Sequence, residues 1–388
     1  FTFNFIIIWF EVKHNLIYLF FLLMKITIFA NSYWNLYNFR YNFINHLIKN
    51  NFKVNLIASY DEYYKYFNNK NCKLNFVNIK KNNISPISDI KLCYQLYKIL
   101  KKDKPDFVFL YTIKPNLYGS IMSNFCNINF INTITGLGTL YLKNTYLRVI
   151  LKLIYKISFI KSKHIFFHNK DDKVIFFKKF KKNVSITPGS GIDIKKFKFR
   201  KKTFNKDLKF IFVGRLIKEK GILELLNTFE KILHKFKNVS LDIFGEIDKN
   251  NSSKIEDNMF NYYKNVKKIN FVGKKDNINN IYMQYDCLIL PSYREGCSRA
   301  ILEASATGLP VLASNVPGCN NIIKDGFNGY LFTSKSEDSL YKSIEKFIKL
   351  DKKIFSEMSY NARKKIEENF DEKFVFKQYI NVINNYGK

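Results

Sequence analysis

Two carboxylates with seven residues between them carry the chemistry most legible in this chain. They are Glu295 and Glu303, within Pro291-Ser292-Tyr293-Arg294-Glu295-Gly296-Cys297-Ser298-Arg299-Ala300-Ile301-Leu302-Glu303. The apolar run Cys287–Leu290 precedes this stretch, and a helical pattern, Ser298–Ala306, occupies its second half. The first carboxylate therefore falls on a loop at a strand end and the second inside the following helix. Gly296 leaves room for a ligand against the backbone. The helix start at Cys297 and Ser298 offers free N–H groups where the dipole favours an anion. Carboxylates accept hydrogen bonds from sugar hydroxyls, and N–H groups hold phosphate oxygens. Glu303 also stands i, i+4 from Arg299, the spacing of an ordinary surface pair, although an unpaired carboxylate among Ile301, Leu302 and Ala304 would be costly to bury.

A second strand end, after Phe210–Val213, reads Gly214-Arg215-Leu216-Ile217-Lys218-Glu219-Lys220-Gly221 before another helix. Gly214 permits close backbone approach, Arg215 supplies a planar fork of donors, and Lys220 a point charge beside a helix start. Those are the parts of a phosphate grip, although 64 Lys and Arg make basic residues common on any loop of this chain. No nucleophile–base constellation stands out. The nearest echo of a D-x-D cation motif, Glu246-Ile247-Asp248, reads as a surface turn, so no metal is expected. Six cysteines without a C-x-x-C pair fit a reducing compartment.

Positioning these loops requires an alternation of strands and helices. Strand patterns occur at Lys25–Ala30, Lys53–Ala58, Leu74–Asn78, Phe107–Tyr111, Phe130–Thr133 and His164–His168, with helical patterns at Phe39–Lys49 and Ser88–Lys101. After Gly189 the alternation restarts at Phe210–Val213, Ser240–Phe244, Ile269–Val272, Cys287–Leu290, Val311–Ala313 and Gly329–Phe332. Helices are expected at Ile222–Phe236, Ser298–Ala306 and Ser336–Lys349. Such alternation builds parallel sheets covered on both faces. We expect an α/β protein of two doubly wound, Rossmann-like domains: 24–190, then 191–370, with 371–388 closing as a helix that packs back on the first. Ligands of open parallel sheets bind beyond the carboxyl ends of the strands, so the two domains are expected to face one another across a cleft.

The net charge is +32, and residues 24–190 hold 27 Lys and Arg against 7 Asp and Glu. Such a balance suits nucleic acid, yet Lys, Asn, Ile, Phe and Tyr are abundant together, as an AT-rich genome dictates. No zinc spacing or RNP-like strand accompanies the charge, so no specific nucleic-acid partner is expected. Within the basic stretch Lys143–Lys182, Arg148, Lys152 and Lys156 recur at i, i+4, i+8, with Leu147, Ile150, Leu151, Ile154 and Ile157 on other faces. The pattern suits an anionic membrane surface and a solvated helix face alike. Residues 1–23 are apolar but broken by Glu11, Lys13 and His14, short of the ~18 uninterrupted residues of a spanning helix, and carry no cleavage signal. They read as a non-native or disordered extension, or alternatively as a membrane anchor, with Met24 leading directly into a strand.

The run from Glu295 to Glu303 resembles the E-x7-E motif of the retaining GT-B-fold glycosyltransferases of family 4. The resemblance continues through Gly308-Leu309-Pro310-Val311, Pro317-Gly318, Asp325-Gly326-Phe327-Asn328-Gly329, the Gly214–Gly221 loop and Pro188-Gly189-Ser190-Gly191-Ile192-Asp193, and covers essentially Met24 to the C-terminus. It implies that Arg215 and Lys220 bind the diphosphate of a UDP-sugar and stabilise the charge that builds on it. Glu303 would hold the ribose and Glu295 a hydroxyl of the donor sugar, with Gly214, Gly296, Cys297 and Ser298 around them. It implies front-face attack with retention, no metal, and no cofactor beyond the co-substrate. Asn35–Arg40, Thr112–Gly119 and Asn132–Gly138 look like bacterial members that extend polyprenyl-diphosphate-linked glycans, of N-acetylgalactosaminyl and galactosyl type. Arg40 and Lys114 are then candidate contacts to the acceptor diphosphate and Asn116 to a sugar hydroxyl, with Gly136 and His168 on the same side; plain surface or turn roles suit them equally. In Phe166-Phe167-His168-Asn169 the family pattern has Gln where this chain has His168, which leaves that residue between a cleft role and a satisfied strand-end histidine. The expectation is a cytoplasmic, peripheral enzyme at the inner membrane face that moves an N-acetylhexosamine to a lipid-linked glycan. A UDP-N-acetylglucosamine 2-epimerase is the alternative on this architecture.

Overall fold

The computed structural model describes residues 24–68, 72–79, 85–137, 145–177, 183–202, 204, 206–247, 251, 253–275 and 277–386. The 1–23 extension, Gly138, Lys143, Lys182 and Asp248 lie outside them. The chain divides into two compact units. One holds the residues up to Phe167, Lys173–Ile186 and Phe376 onward; the other holds His168–Asp172 and Thr187–Val375.

The first unit is built on seven parallel strands: β1 (Lys25–Ser32), β2 (Lys53–Ser59), β3 (Cys72–Phe76), β4 (Phe107–Tyr111), β5 (Asn129–Ile134), β6 (His164–Phe167) and β7 (Val184–Ile186), in the order β3-β2-β1-β4-β5-β6-β7. Both faces are covered by helices, so the central strands read as continuous apolar runs; all five residues of β4, Phe-Val-Phe-Leu-Tyr, are buried. The helices are α1 (Tyr33–Lys49), α2 (Pro86–Asp103), α3 (Ser120–Phe125), α4 (Thr145–Ser158) and α5 (Lys170–Phe176). Helix α1 starts at Tyr33, not Phe39, because Ser32 caps it: its Oγ accepts from Asn35 N–H at 3.2 Å. Asn35 and Asn38 had concealed those first turns. The three-residue β7 was too short to show a period.

The second unit has six parallel strands: β8 (Leu208–Val213), β9 (Val239–Phe244), β10 (Ile269–Phe271), β11 (Cys287–Leu290), β12 (Val311–Ser314) and β13 (Gly329–Phe332), ordered β10-β9-β8-β11-β12-β13. Around them lie α6 (Ile222–Lys235), α7 (Asp257–Lys264), α8 (Asn279–Tyr282), α9 (Arg299–Ala306), α10 (Glu337–Ile348) and α11 (Lys352–Asn369). The sequence reading did not anticipate α11. Its polar and charged majority hid a buried stripe of Phe355, Met358, Ser359, Ala362 and Ile366. The last helix, α12 (Glu372–Tyr386), begins in this unit, and its residues from Phe376 belong to the first. There Tyr379 packs against Phe43, Phe109 and Phe166, with ring centroids 4.8–5.4 Å away.

Both doubly wound parallel sheets expected from the alternation are present. In each, strand order reverses beside the first strand: between β1 and β4, and between β8 and β11. A crevice opens at the carboxyl ends of the strands at such a reversal.

Candidate functional site

The two loops singled out by their chemistry follow β8 and β11, the strands that flank the reversal in the second unit. Two glycines let neighbouring backbone close on the second of these loops. Gly221 has φ +68°, and a Cβ there would lie 2.1 Å from the Pro291 carbonyl oxygen. Gly318 has φ +82° and would place a Cβ 2.5 Å from the Glu295 backbone. Both positions demand a residue without a side chain. The Pro317-Gly318 segment then clamps the acidic loop: Glu295 N–H donates to Pro317 O and Ser298 N–H to Gly318 O, each at 3.0 Å.

With the loops in register, the Lys220 ammonium pairs with the Glu295 carboxylate, and neither side chain is fully exposed. Gly214 N–H donates to Phe244 O at 2.9 Å, while Arg215 next to it is exposed. Ser298 is the cap residue of α9, with extended backbone at φ −69°, ψ 114°. One turn into α9, Glu303 holds two partners. Arg299 Nε donates to its Oε1 at 2.8 Å, the i, i+4 pair raised by the spacing, and the buried Tyr282 hydroxyl donates to its Oε2 at 3.2 Å. Burial and the adjacent Glu303 push the Tyr282 phenol well above its ordinary range, so it stays a donor. Burial likewise pushes the Cys297 thiol up to about 12, with Asn321 opposing, and it stays protonated at neutral pH.

Three participants escaped the sequence reading. The residues on either side of Glu295 are both held by the segment 168–172: Arg294 pairs with the Asp172 carboxylate, and Asn169 Nδ2 donates to Gly296 O at 2.8 Å and to Asp172 at 3.1 Å. Asp172 has no exposed side-chain surface. Burial raises its carboxyl above the usual range, against the opposing pull of Arg294 and Asn169. Tyr293 is fixed as well, its N–H to Glu219 O at 2.9 Å and its hydroxyl to Glu224. The one local signal was Asn169 ahead of a helix, where its Oδ1 accepts from Asp172 N–H at 2.7 Å.

The acceptor-side residues divide between the units. Arg40, Lys114, Asn116 and Gly136 lie in the first, near the ends of β1, β4 and β5, whereas the buried His168 belongs to the second. Arg40 is 3% exposed, its guanidinium 4.0 Å above the Tyr111 ring. Lys114 Nζ pairs with Asp89 at 2.7 Å, and Tyr118 shares that carboxylate. Asn116 is spent on the fold: its Nδ2 donates to Thr112 O and Thr133 O, and its Oδ1 accepts from Asn132. Thr112, at φ +69°, is a β-branched residue in the left-handed region at the end of β4. Strain of that kind gathers at functional turns.

Comparison with known proteins identifies the family and the fold. Residues 193–365 match the family model "Glycosyl transferases group 1", and residues 25–169 match "Glycosyl transferase 4-like". An Escherichia coli UDP-Gal:alpha-D-GlcNAc-diphosphoundecaprenol alpha-1,3-galactosyltransferase is 31% identical over 317 residues, 74% of this chain and 78% of that protein. The N,N'-diacetylbacillosaminyl-diphospho-undecaprenol alpha-1,3-N-acetylgalactosaminyltransferase of Campylobacter jejuni is 24% identical, over 92% of this chain and 97% of its own length. In fold, the chain is similar to Anabaena HepE, solved in complex with UDP-glucose: TM-score 0.75 at 14% identity, over 93% of this chain and all of that one. The chain belongs to this glycosyltransferase family and has its GT-B class of fold.

Proposed function

We propose that this glycosyltransferase moves an N-acetylhexosamine, or the matching hexose, from a UDP-sugar to a polyprenyl-diphosphate-linked glycan in polysaccharide or oligosaccharide assembly. The contact between Lys220 and Glu295 carries the reading. A cation suited to a diphosphate touches a carboxylate suited to a sugar hydroxyl, and those two groups flank the anomeric bond of a UDP-sugar. Arg215, Lys220 and the N–H groups at Cys297 and Ser298 take the diphosphate, Gly214 and Gly296 leave it room, Glu303 takes the ribose, and Glu295 the sugar. The Escherichia coli relative is named for a UDP-Gal donor, and both relatives for diphosphoundecaprenol acceptors.

In the proposed step an acceptor hydroxyl oxygen bonds to the anomeric carbon on the face from which the diphosphate departs. The bond from that carbon to the phosphate oxygen breaks, and the hydroxyl proton passes to the departing oxygen. Configuration is retained without a protein nucleophile, consistent with the protonated Cys297 thiol. Arg215 and Lys220 supply the charge that a metal ion would otherwise bring. Arg40 and Lys114 are the acceptor-side cations, Gly136 and His168 lie beside their strand ends, and Asn116 shapes the turn between them. Helix α4 exposes Val149, Ile150, Leu153 and Ile157 next to Arg148, Lys152 and Lys156. That face suits an anionic bilayer and supports a peripheral position at the inner face of the membrane. Among the described residues no helix is long and apolar enough to cross one.

A panel of UDP-sugars screened for protection against thermal unfolding, followed by turnover on a polyprenyl-diphosphate-linked N-acetylhexosamine, tests the reading. Protection by a UDP-sugar, an α-product from an α-linked donor and activity in EDTA are expected. Absence of protection overturns the donor assignment, an inverted product the retention, and a Mn²⁺ requirement the metal-free step.

A further inference from the structure

Two buried polar side chains behind the acidic loop have no part in the step described above. Lys202 is 6% exposed, and among the described residues no ion pair reaches it. Its ammonium donates instead to three carbonyl oxygens where α8 ends: Tyr282 O at 3.3 Å, Met283 O at 2.8 Å and Tyr285 O at 2.5 Å. Three protons meet three acceptors, so a desolvated cation is fully used in fixing the last turn of a four-residue helix. The residue that this turn carries is Tyr282, fully buried, whose hydroxyl ends on Glu303 Oε2.

Glu303 is therefore tethered at both oxygens, by Arg299 on Oε1 and Tyr282 on Oε2. An i, i+4 pair alone is a weak restraint and lets a carboxylate swing. A second tether from a phenol locked in the core sets the plane of the group. An ionised carboxylate has about four lone-pair sites, so each oxygen keeps capacity for one further donor, and a fixed plane presents that capacity to two neighbouring hydroxyls together. Adjacent hydroxyls of this kind are the 2′ and 3′ groups of a ribose.

We propose that Tyr282, and Lys202 behind it, are positioning residues that orient Glu303 to receive both ribose hydroxyls, and so make the enzyme discriminate ribonucleotide from 2′-deoxyribonucleotide donors. The proposal rests on the assignment of Glu303 to the ribose and adds the source of that selectivity. A site built to pair a hydroxyl rejects the analogue that lacks it, because its own polar group is left unpaired.

The test compares dissociation constants of UDP and 2′-deoxy-UDP, by calorimetry, for the full chain and its variants. The wild type is expected to prefer UDP by roughly tenfold or more, the size of one charged hydrogen bond. Glu303→Gln is expected to abolish most of that preference. Tyr282→Phe keeps the ring and removes only the tether; it and Lys202→Met are expected to bring the ratio within about threefold of unity. A general loss of stability would weaken both ligands alike and leave the ratio unmoved. A wild-type ratio near one, or one that survives Glu303→Gln, overturns the ribose assignment itself. A ratio that collapses in Glu303→Gln but stays at the wild-type value in Tyr282→Phe and Lys202→Met overturns the positioning role alone. Should Tyr282→Phe fail to fold, Lys202→Met decides the question from the far end of the same chain of contacts.

Discussion

Lys220 and Glu295 are 75 positions apart in sequence, yet their side chains pair. Each was legible separately, as a charge on a loop after a strand; their pairing was not, because it depends on Gly221 and Gly318 letting two backbones touch. If Lys220 steadies the departing diphosphate, Lys220→Ala should lower kcat by roughly 10²–10³-fold, the usual effect of losing one charge-stabilising donor. Steady-state kinetics with saturating UDP-sugar checks this, and an unchanged kcat removes Lys220 from the step. The grip on the flanks of Glu295 makes a second prediction. Asn169→Ala deletes the donor to Gly296 O and should reduce kcat/KM for the donor by about three- to tenfold, the worth of one hydrogen bond. Its affinity for UDP, which the proposal assigns to Glu303, should change less than about twofold. Donor kinetics beside UDP calorimetry separates the two. Asn169, Asp172 and Arg294 were missed because a buried pair 122 residues apart has no periodicity to betray it. At Glu303 the i, i+4 pair with Arg299 is real and still leaves the carboxylate acceptor capacity for the role proposed for it.

At the scale of elements, long helices and apolar strands were readable and short or polar ones were not. Helix α6, with six buried residues in 14, announced itself. Strand β7 offered three residues, and α11 buried its stripe under charge. Helix α4 is the informative case. Its basic residues at i, i+4, i+8 left open whether a membrane or water faces it. Val149, Leu153 and Ile157 form an exposed apolar row one residue beyond Arg148, Lys152 and Lys156. An exposed apolar row beside a basic one fits the headgroup boundary of an anionic bilayer. Leu153→Glu with Ile157→Glu should abolish co-sedimentation with phosphatidylglycerol vesicles while leaving UDP binding intact; retained vesicle binding would assign α4 to solvent.

For the whole molecule, charge and acid response follow from composition and burial together. At +32, the vesicle binding proposed for α4 should weaken as salt screens it. Stability should also depend on His164, whose ring nitrogen lies 2.8 Å from Ser185 Oγ and whose pKa burial pulls down to about 4. The unfolded chain takes up this proton near 6.5, before the folded one does. Stability therefore falls as pH drops below 6.5 and this loss ends near 4, the sign expected for a histidine kept neutral. Urea unfolding at pH 7 and pH 5 should show a smaller drop for His164→Gln than for wild type; equal drops would refute it.

Tyr379 and its helix close the core of the first unit, although Thr187–Val375 separates them in sequence from the strands they cover. Nascent chains fold as their segments emerge, N-terminal domains first as a rule. Here the first sheet waits for the turns of α12 that carry Tyr379, with Thr187–Val375 synthesised in between. A chain that ends between residues 190 and 375 leaves Phe43, Phe109 and Phe166 without Tyr379 as their cover. Synthesis of α12, not emergence of the first 190 residues, completes that core.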